Sequence, residues 1–370
     1  TMKDQGDRDL GLRYDLTVPF AKVVGMNPEM RMPFKRYEIG KVFRDGPVRA
    51  GRNREFTQCD VDVMGVSSMI AEAEYFAITV DVFKALNLPI YISYNNRKLL
   101  SGLVEASEIE SKEASSVILS IDKLEKIGKD GVVQELVEKG INENSIEKLF
   151  TFIEKGPEEL LEFLSENPIN KSIEEGLKEL KELNSYIEAA ELEDYVKLTP
   201  VLARGLEIYT GTIWEVFLKD GSITSSLAGG GRYDKIIGGF LESEVEYPAV
   251  GMSFGLDVIY EALKIKGITK DIAPAEVFII PMGTEKQSFN LATELRKQGF
   301  KVDMEIMGRR LRRSLDYANK SNMPYVIILG ENEIKEGKVN IKEMDTGKET
   351  EAKLDEIADE LRKLKETNPV

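Results

Sequence analysis

The densest potential chemistry in this 370-residue chain lies between Phe43 and Phe56, where Arg44, Arg49, Arg52 and Arg54 surround Asp45-Gly46-Pro47 and Gly51. Strand-like runs with a Gly/Pro loop between them read as a hairpin with arginines at both ends. A guanidinium stays charged and pairs bidentately with phosphate oxygens, so the hairpin suits a polyphosphate clamp; a solvated basic surface is the other reading. Residues 31–54 carry eight Lys/Arg against Glu38 and Asp45, which makes the stretch an anion attractor. Just downstream, Phe56 to Val63 alternates with period two and sets Gln58, Asp60 and Asp62 on one face, toward solvent or into a pocket. Leu202 to Gly211 places Arg204 in a Gly-flanked turn ahead of Tyr209. Ala228-Gly229-Gly230-Gly231-Arg232-Tyr233-Asp234 is a glycine run that admits close approach by a ligand or by another strand. It lacks the Gly-Lys-Ser/Thr ending of a P-loop.

Composition narrows the chemistry further. The chain has no histidine and one cysteine, Cys59, which removes Cys/His zinc sites, Ser-His-Asp and Cys-His triads, disulfide frameworks and any histidine base. Carboxylates, Arg, Lys, Tyr, backbone groups and a hard cation remain. No apolar run approaches the ~18 residues of a membrane span. The net charge is −15, but residues 104–200 alone hold 24 Asp/Glu against 11 Lys/Arg. The acidity therefore belongs to one segment and does not argue against a nucleic-acid partner.

The elements that must position these residues fall into an α+β pattern. Residues 1–103 and 201–268 alternate short β-rich runs with Gly and Pro, as in Arg36 to Phe43, Leu88 to Tyr94 and Thr212 to Leu218. Residues 104–200 read as helices, with Ile146, Leu149, Phe150 and Ile153 at helical spacing and breaks at Gly156-Pro157 and Asn167-Pro168. They are expected to form a helical insertion in the first domain. After a linker over Ile265 to Pro274, residues 275–370 alternate strands and helices as a small α/β domain. Its second helix is expected to contain Arg309 to Asn319.

In combination these segments resemble the histidyl-tRNA synthetases, a family of class II aminoacyl-tRNA synthetases. Leu12-Arg13-Tyr14-Asp15-Leu16-Thr17 looks like the family's early substrate-binding strand, Phe43 to Gly65 like class II motif 2, and Arg204 to Tyr209 like its histidine-specific motif. Ser226 to Asp234 is similar to its glycine-rich loop, Pro248 to Asp257 to motif 3, and residues 275–370 to the anticodon-binding domain. The resemblance implies a class II antiparallel sheet with flanking helices, a helical insertion and a C-terminal α/β domain. It implies ligation of L-histidine to tRNA(His) through an adenylate, with ATP as substrate and Mg²⁺ assisting, in a cytoplasmic homodimer with no membrane attachment.

Carried over by position, the resemblance makes Arg44 the ligand of the α-phosphate and substrate carboxylate, and Arg52 a further ATP contact. Arg204 stabilises the charge that develops during attack on phosphorus. Asp15, Thr17 and Gln58 grip the α-amino and carboxylate groups, Asp62 and Tyr209 read the imidazole, and Tyr233 lies beside them. Arg309, Arg310, Arg312 and Arg313 face tRNA. No metal ligand is assigned. Two departures carry expectations. Val258 stands where motif 3 has an arginine on ATP, which implies a weaker grip on the nucleotide. The chain starts at Thr1 without the motif 1 segment, which implies weaker dimerisation. The competing readings are a histidine-sensing regulator like the regulatory subunit of ATP phosphoribosyltransferase, and a tRNA-binding protein without ligase activity. The regulator usually lacks a C-terminal domain, so residues 275–370 favour the ligase.

Overall fold

The computed structural model describes residues 1–27, 29–48, 51–203, 208–243, 245–269 and 273–367. They form two compact units, Thr1–Thr269 and Lys270–Val370.

Among the described residues, the first unit is built on a seven-stranded sheet. Its strands are β1 (Phe34–Phe43), β2 (Glu55–Met64), β3 (Ile90–Asn96), β4 (Val196–Leu198), β5 (Thr212–Leu218), β6 (Ala228–Arg232) and β7 (Ala249–Gly255), in the order β1-β2-β7-β6-β5-β3-β4. All neighbours are antiparallel except β3 and β4. The basic segment does form the β1–β2 hairpin, closed where Arg44 N donates to Arg54 O at 2.8 Å. Its residues Arg49 and Ala50 lie outside the described residues.

The stretch Leu12 to Thr17 is not a strand. Helix α1 (Thr17–Met26) begins after Leu16, where the Asp15 carboxylate accepts a hydrogen bond from Val18 N at 2.9 Å, and the irregular approach to it is tied to the sheet by Phe43 N donating to Arg13 O at 2.9 Å. Helix α2 (Ile70–Ala85) packs behind the sheet, with the Phe76 ring edge-on to Trp214 at 5.4 Å.

Helices α3 (Arg97–Ala106), α4 (Ser111–Ile121), α5 (Leu124–Glu138), α6 (Glu143–Ile153), α7 (Pro157–Glu166) and α8 (Lys171–Ala189) follow β3. Asn96, Asn142 and Asn170 cap three of them with side-chain acceptors, where their short amides compete for the first N–H groups. Helices α3 and α8 meet across two glycines: a Cβ at Gly176 would lie 2.6 Å from Leu99 N, and one at Gly102 2.6 Å from Ile173 Cγ1. A single apolar core runs from Trp214 and Phe76 in the sheet region through Leu99, Leu183 and Phe150 of the helices. Short α9 (Ile236–Phe240), α10 (Leu256–Ile265) and a separate antiparallel pairing of Met2–Lys3 with Asp9–Leu10 also belong to the unit.

Among the described residues, the second unit has a five-stranded sheet of β8 (Val277–Met282), β9 (Val302–Met304), β10 (Tyr325–Gly330), β11 (Lys338–Glu343) and β12 (Glu349–Lys353), ordered β9-β8-β10-β11-β12. Alternation splits its core in two. Val277, Ile279 and Ile327 pack with Leu295 of α11 (Glu285–Lys297) and Leu361 of α13 (Ile357–Thr367). Phe278, Ile280 and Val326 pack with Ala318 of α12 (Leu311–Lys320). Helix α12 starts later than the sequence pattern predicts: Gly308 turns the chain at φ +67° and Arg310 is extended, so Arg309 and Arg310 precede the helix.

Candidate active site

Cross-strand register assembles the site. Arg36 pairs with Asp62, Asp62 with Gly251, and Gly251 with Gly231, forming one row across β1, β2, β7 and β6. The next row is Glu38, Asp60, Ser253, Gly229, Glu215, Ser93 and Lys197, and the third includes Gly40, Gln58 and Gly255. A period of two along each strand puts all three rows on one face. That face is a polar floor rather than an apolar one, and the polar face of β2 is turned into the protein rather than to solvent.

Over this floor lies a cleft of about 810 Å³ lined by Arg44, Arg52, Phe56, Gln58, Glu215 and Ser253, among others. Arg44 is held against two rings of this region. Its guanidinium sits 4.5 Å from the Tyr14 ring centre and 5.1 Å from that of Phe56, and donates to Gln58 Oε1 at 3.3 Å. Gln58 Nε2 donates onward to Ser253 Oγ at 2.5 Å and Asp60 Oδ1 at 3.3 Å. Arg52 is exposed on the cleft wall. Asp257, at the start of α10, accepts from Thr57 N at 2.9 Å and Asn53 Nδ2 at 3.4 Å, which ties the hairpin loop down. Val258 is buried against that loop; a Cβ on Gly51, where φ is +68°, would come within 3.1 Å of Val258 Cγ2.

Asp62 does not line this cleft. It is buried at 2% exposure beside it, where Tyr233 donates from its hydroxyl to Asp62 Oδ1 and Arg36 Nη2 lies 2.9 Å from Oδ2. Room for this comes from glycines: a Cβ on Gly251 would collide with Asp62 Oδ1, and one on Gly231 would lie 2.5 Å from Tyr209 Cδ1. The glycine run thus admits both a neighbouring strand, whose Gly251 carbonyl a Cβ on Gly230 would strike, and the Tyr209 ring. Tyr209 and Tyr233 share one apolar cluster with Phe20 and Ala249.

Burial dominates the electrostatics. It pushes the Asp60 carboxyl up to about 6, against the Ser253 hydrogen bond and Arg36, with neighbouring Asp62 and Asp15 adding to the rise. Burial likewise raises Asp62, while Arg36 and the Tyr233 hydroxyl oppose it. Tyr233 is raised well above the usual phenol range by burial and by Asp62.

The structure brings together Arg44, Arg52 and Gln58 in the cleft, and Asp62, Tyr209 and Tyr233 in the adjoining buried cluster. Asp15 and Thr17 sit at the start of α1, Asp15 close enough to act on Asp60. Arg204 lies outside the described residues. Arg36, Ser253 and Glu215 were not singled out from the sequence, because only pairing register places them on this floor. Asp60 carried a signal, its place in the alternating run.

In the second unit, Arg309 is held in place rather than presented. It pairs with buried Glu305 at 3.2 Å and stacks 4.4 Å from the Tyr317 ring centre. Glu305 also accepts from Met307 N at 2.7 Å and Ser314 Oγ at 3.2 Å, pinning the turn before α12. Arg310, Arg312 and Arg313 are exposed and form no ion pair among the described residues.

A family model for histidyl-tRNA synthetase matches residues 1–259, and one for an anticodon binding domain matches residues 276–364. The chain is 50% identical over 362 residues to histidine–tRNA ligase 1 of Bacillus anthracis, covering 98% of this chain and 85% of that protein. It is 47% identical over 350 residues to histidine–tRNA ligase 2 of Shouchella clausii, covering 94% and 82%. The crystal structure of histidyl-tRNA synthetase from Nostoc superposes with a TM-score of 0.73 at 30% identity, over 95% of this chain and 83% of that one. With the first unit matched almost throughout and half the residues shared with a curated relative, the chain belongs to the histidyl-tRNA synthetase family.

Proposed function

We propose that the cleft over the polar floor is where histidine and ATP react to give histidyl-adenylate and pyrophosphate, before the histidyl group passes to tRNA. The chain is a histidine–tRNA ligase, as its family and its 50% identical relatives have it. The substrate carboxylate is already ionised at neutral pH, so the first step needs no protein base. It needs the carboxylate and α-phosphorus held together and the charge on phosphorus neutralised.

In this reading Arg44 spans the α-phosphate and the substrate carboxylate, and Arg52 contacts the rest of ATP. Arg204 takes its role from the family motif alone. Gln58, Asp15 and Thr17 hold the α-substituents, and Asp60, on the same face as Gln58, joins them in pairing with the ammonium. Asp62 and Tyr209 read the ring, with Tyr233 fixing Asp62. The described residues contain no cluster of three metal-ligating side chains. Mg²⁺, which usually rests on one or two carboxylates and on phosphates, would therefore rest mainly on the triphosphate, with Glu215 as the floor carboxylate. It would neutralise phosphate charge.

The division into a catalytic core over 1–103 and 201–268, an insertion over 104–200 and an anticodon-binding domain over 275–370 belongs to the same proposal. Arg310, Arg312 and Arg313 would meet tRNA. A homodimer would use the edge strand β1, whose outer face exposes Tyr37 at 78% and Ile39 at 64%. No helix among the described residues is long and apolar enough to cross a membrane; the tRNA partner supports a cytoplasmic location.

The observation that carries the reading is the chain from Arg44 through Gln58 to Ser253 on the cleft floor. Histidine-dependent ATP–pyrophosphate exchange tests it. Arg44→Ala is expected to lower kcat/KM by about 100-fold or more, as losing a transition-state donor does. Exchange within threefold of the parent protein would refute the placement.

A further inference from the structure

Arg36 lies on β1 directly opposite Asp62, the proposed ring reader on β2. Its side chain is only 11% exposed and is held from four directions. Nη2 donates to Leu16 O at 2.9 Å, Nη1 pairs with Glu38 at 2.5 Å, Nη2 stands 2.9 Å from Asp62 Oδ2, and the guanidinium sits 4.4 Å from the Phe20 ring centre. Glu38 is itself shared with Arg13 at 3.1 Å. Arg13, Glu38, Arg36 and Asp62 therefore alternate in charge and sum to zero, ending on Tyr233.

Two atoms of this charge series, Arg36 Nε and Asp62 Oδ2, are buried without a hydrogen-bond partner among the described residues. Asp62 Oδ2 has the nearby positive charge but no aligned donor. It is an acceptor in a sealed site, and an acceptor left so is costly unless a ligand donates to it. An imidazole N–H is such a donor.

We propose that Arg36 is a positioning residue for histidine selection: it keeps Asp62 a carboxylate beside Tyr233 and cancels its charge, so the site takes the imidazole as the neutral ring. This rests on Asp62 as the ring reader. The other groups facing Asp62 do not change the balance. Glu38 on β1 is matched by Arg13, Tyr75 of α2 and Tyr233 are uncharged phenols raised by burial, and Asp60 on β2 is left for the substrate ammonium. Gly251 and Ser253 of β7 carry no charge. Without Arg36 the buried carboxylate loses its counter-charge, and a solvent proton taken up by the ring replaces it, giving an imidazolium–carboxylate pair.

The test is ¹⁵N NMR of ring-labelled L-histidine bound to the whole protein near neutral pH, with histidine KM from pyrophosphate exchange. The parent protein is expected to hold the neutral ring, seen as two widely separated nitrogen resonances. Arg36→Met is expected to hold the cation, with two closely spaced resonances, and to raise histidine KM about tenfold or more while sparing ATP KM. Arg36→Lys keeps the charge and restores the neutral ring. A cationic ring in the parent protein overturns the proposal whether or not Arg36→Met folds, and so does a neutral ring in Arg36→Met. Asp62→Asn separates the two ideas. An unchanged histidine KM there removes Asp62 as ring reader; a raised one alongside an Arg36→Met variant that behaves like the parent removes only the role of Arg36.

Discussion

Arg232 and Glu72, 160 positions apart in sequence, form a bidentate ion pair that is almost wholly sealed from water, with Nε–Oε1 at 2.8 Å and Nη2–Oε2 at 2.9 Å. The same guanidinium donates to Val66 O at 3.0 Å and Ser68 O at 3.1 Å, so the residue ending the glycine run locks β6 to the turn before α2. Side-chain exposure is 3% for Arg232 and 0% for Glu72. Removing either partner alone leaves a buried charge with no counter-charge of equal quality. Arg232→Met and Glu72→Gln are each expected to lower stability by about 3–5 kcal/mol, and the double change by less than the sum. Urea unfolding of the three variants measures this. Single variants within 1 kcal/mol of the parent protein would show that the lock contributes little.

Asp60 makes stability depend on pH. Its carboxyl is raised from 3.8 to about 6 by burial, so between those values the folded protein binds more protons than the unfolded chain. Stability from this group is therefore highest below about pH 4 and falls as pH rises through 6. Asp60→Asn removes the fall and is expected to stabilise the protein at pH 7.5 by about 1–3 kcal/mol while changing little at pH 4. Denaturant titrations at the two pH values decide it, and equal effects at both would assign the change to packing.

Ring recognition predicts a split between substrates. Asp62→Asn and Tyr209→Phe are each expected to raise histidine KM by about 5- to 100-fold, the cost of an unpaired buried group, and to leave ATP KM alone. Tyr209→Phe keeps the ring that packs on Gly231, so its melting temperature should stay near the parent value. Equal damage to both KM values would mean that the residue supports the whole site.

The four arginines between Arg309 and Arg313 are not equivalent for tRNA. Exposed Arg312 and Arg313 are expected to contact phosphate, so replacing both by Ala should weaken tRNA binding and reduce the salt slope by about 1.4–1.8. Arg309→Ala, which frees Glu305 and bares Tyr317, should instead lower the stability of the unit. Filter binding at several salt concentrations, paired with thermal melts, separates the two. A lost slope in Arg309→Ala with unchanged stability would reverse the assignment.

Much of this was legible along the chain. Alternation from Phe56 to Val63 determines that Gln58, Asp60 and Asp62 share a face, because side chains on a strand alternate whatever surrounds it. The absence of histidine excludes whole classes of chemistry, and the order of the arginine and glycine segments resembles one family. Local rules also locate most strands and helices, although the expected strand from Leu12 to Thr17 is an irregular approach to α1, and Gly308 moved Arg309 and Arg310 out of α12.

What the tertiary structure alone decided is where those faces point and which charges meet. Gln58 reaches Ser253 across 195 positions and Asp62 reaches Tyr233 across 171, because β2 pairs with β7 and β7 with β6. A shift of one residue in either ladder would turn every one of these groups to the opposite face. Arg36 reads in sequence as one more member of a basic stretch; in the fold it is the counter-ion of Asp62, and Arg309 is the anchor of a turn. Residue type determines what a group is able to do. Pairing register and burial, which depend on segments far apart in the chain, determine whether it stays charged and whom it meets.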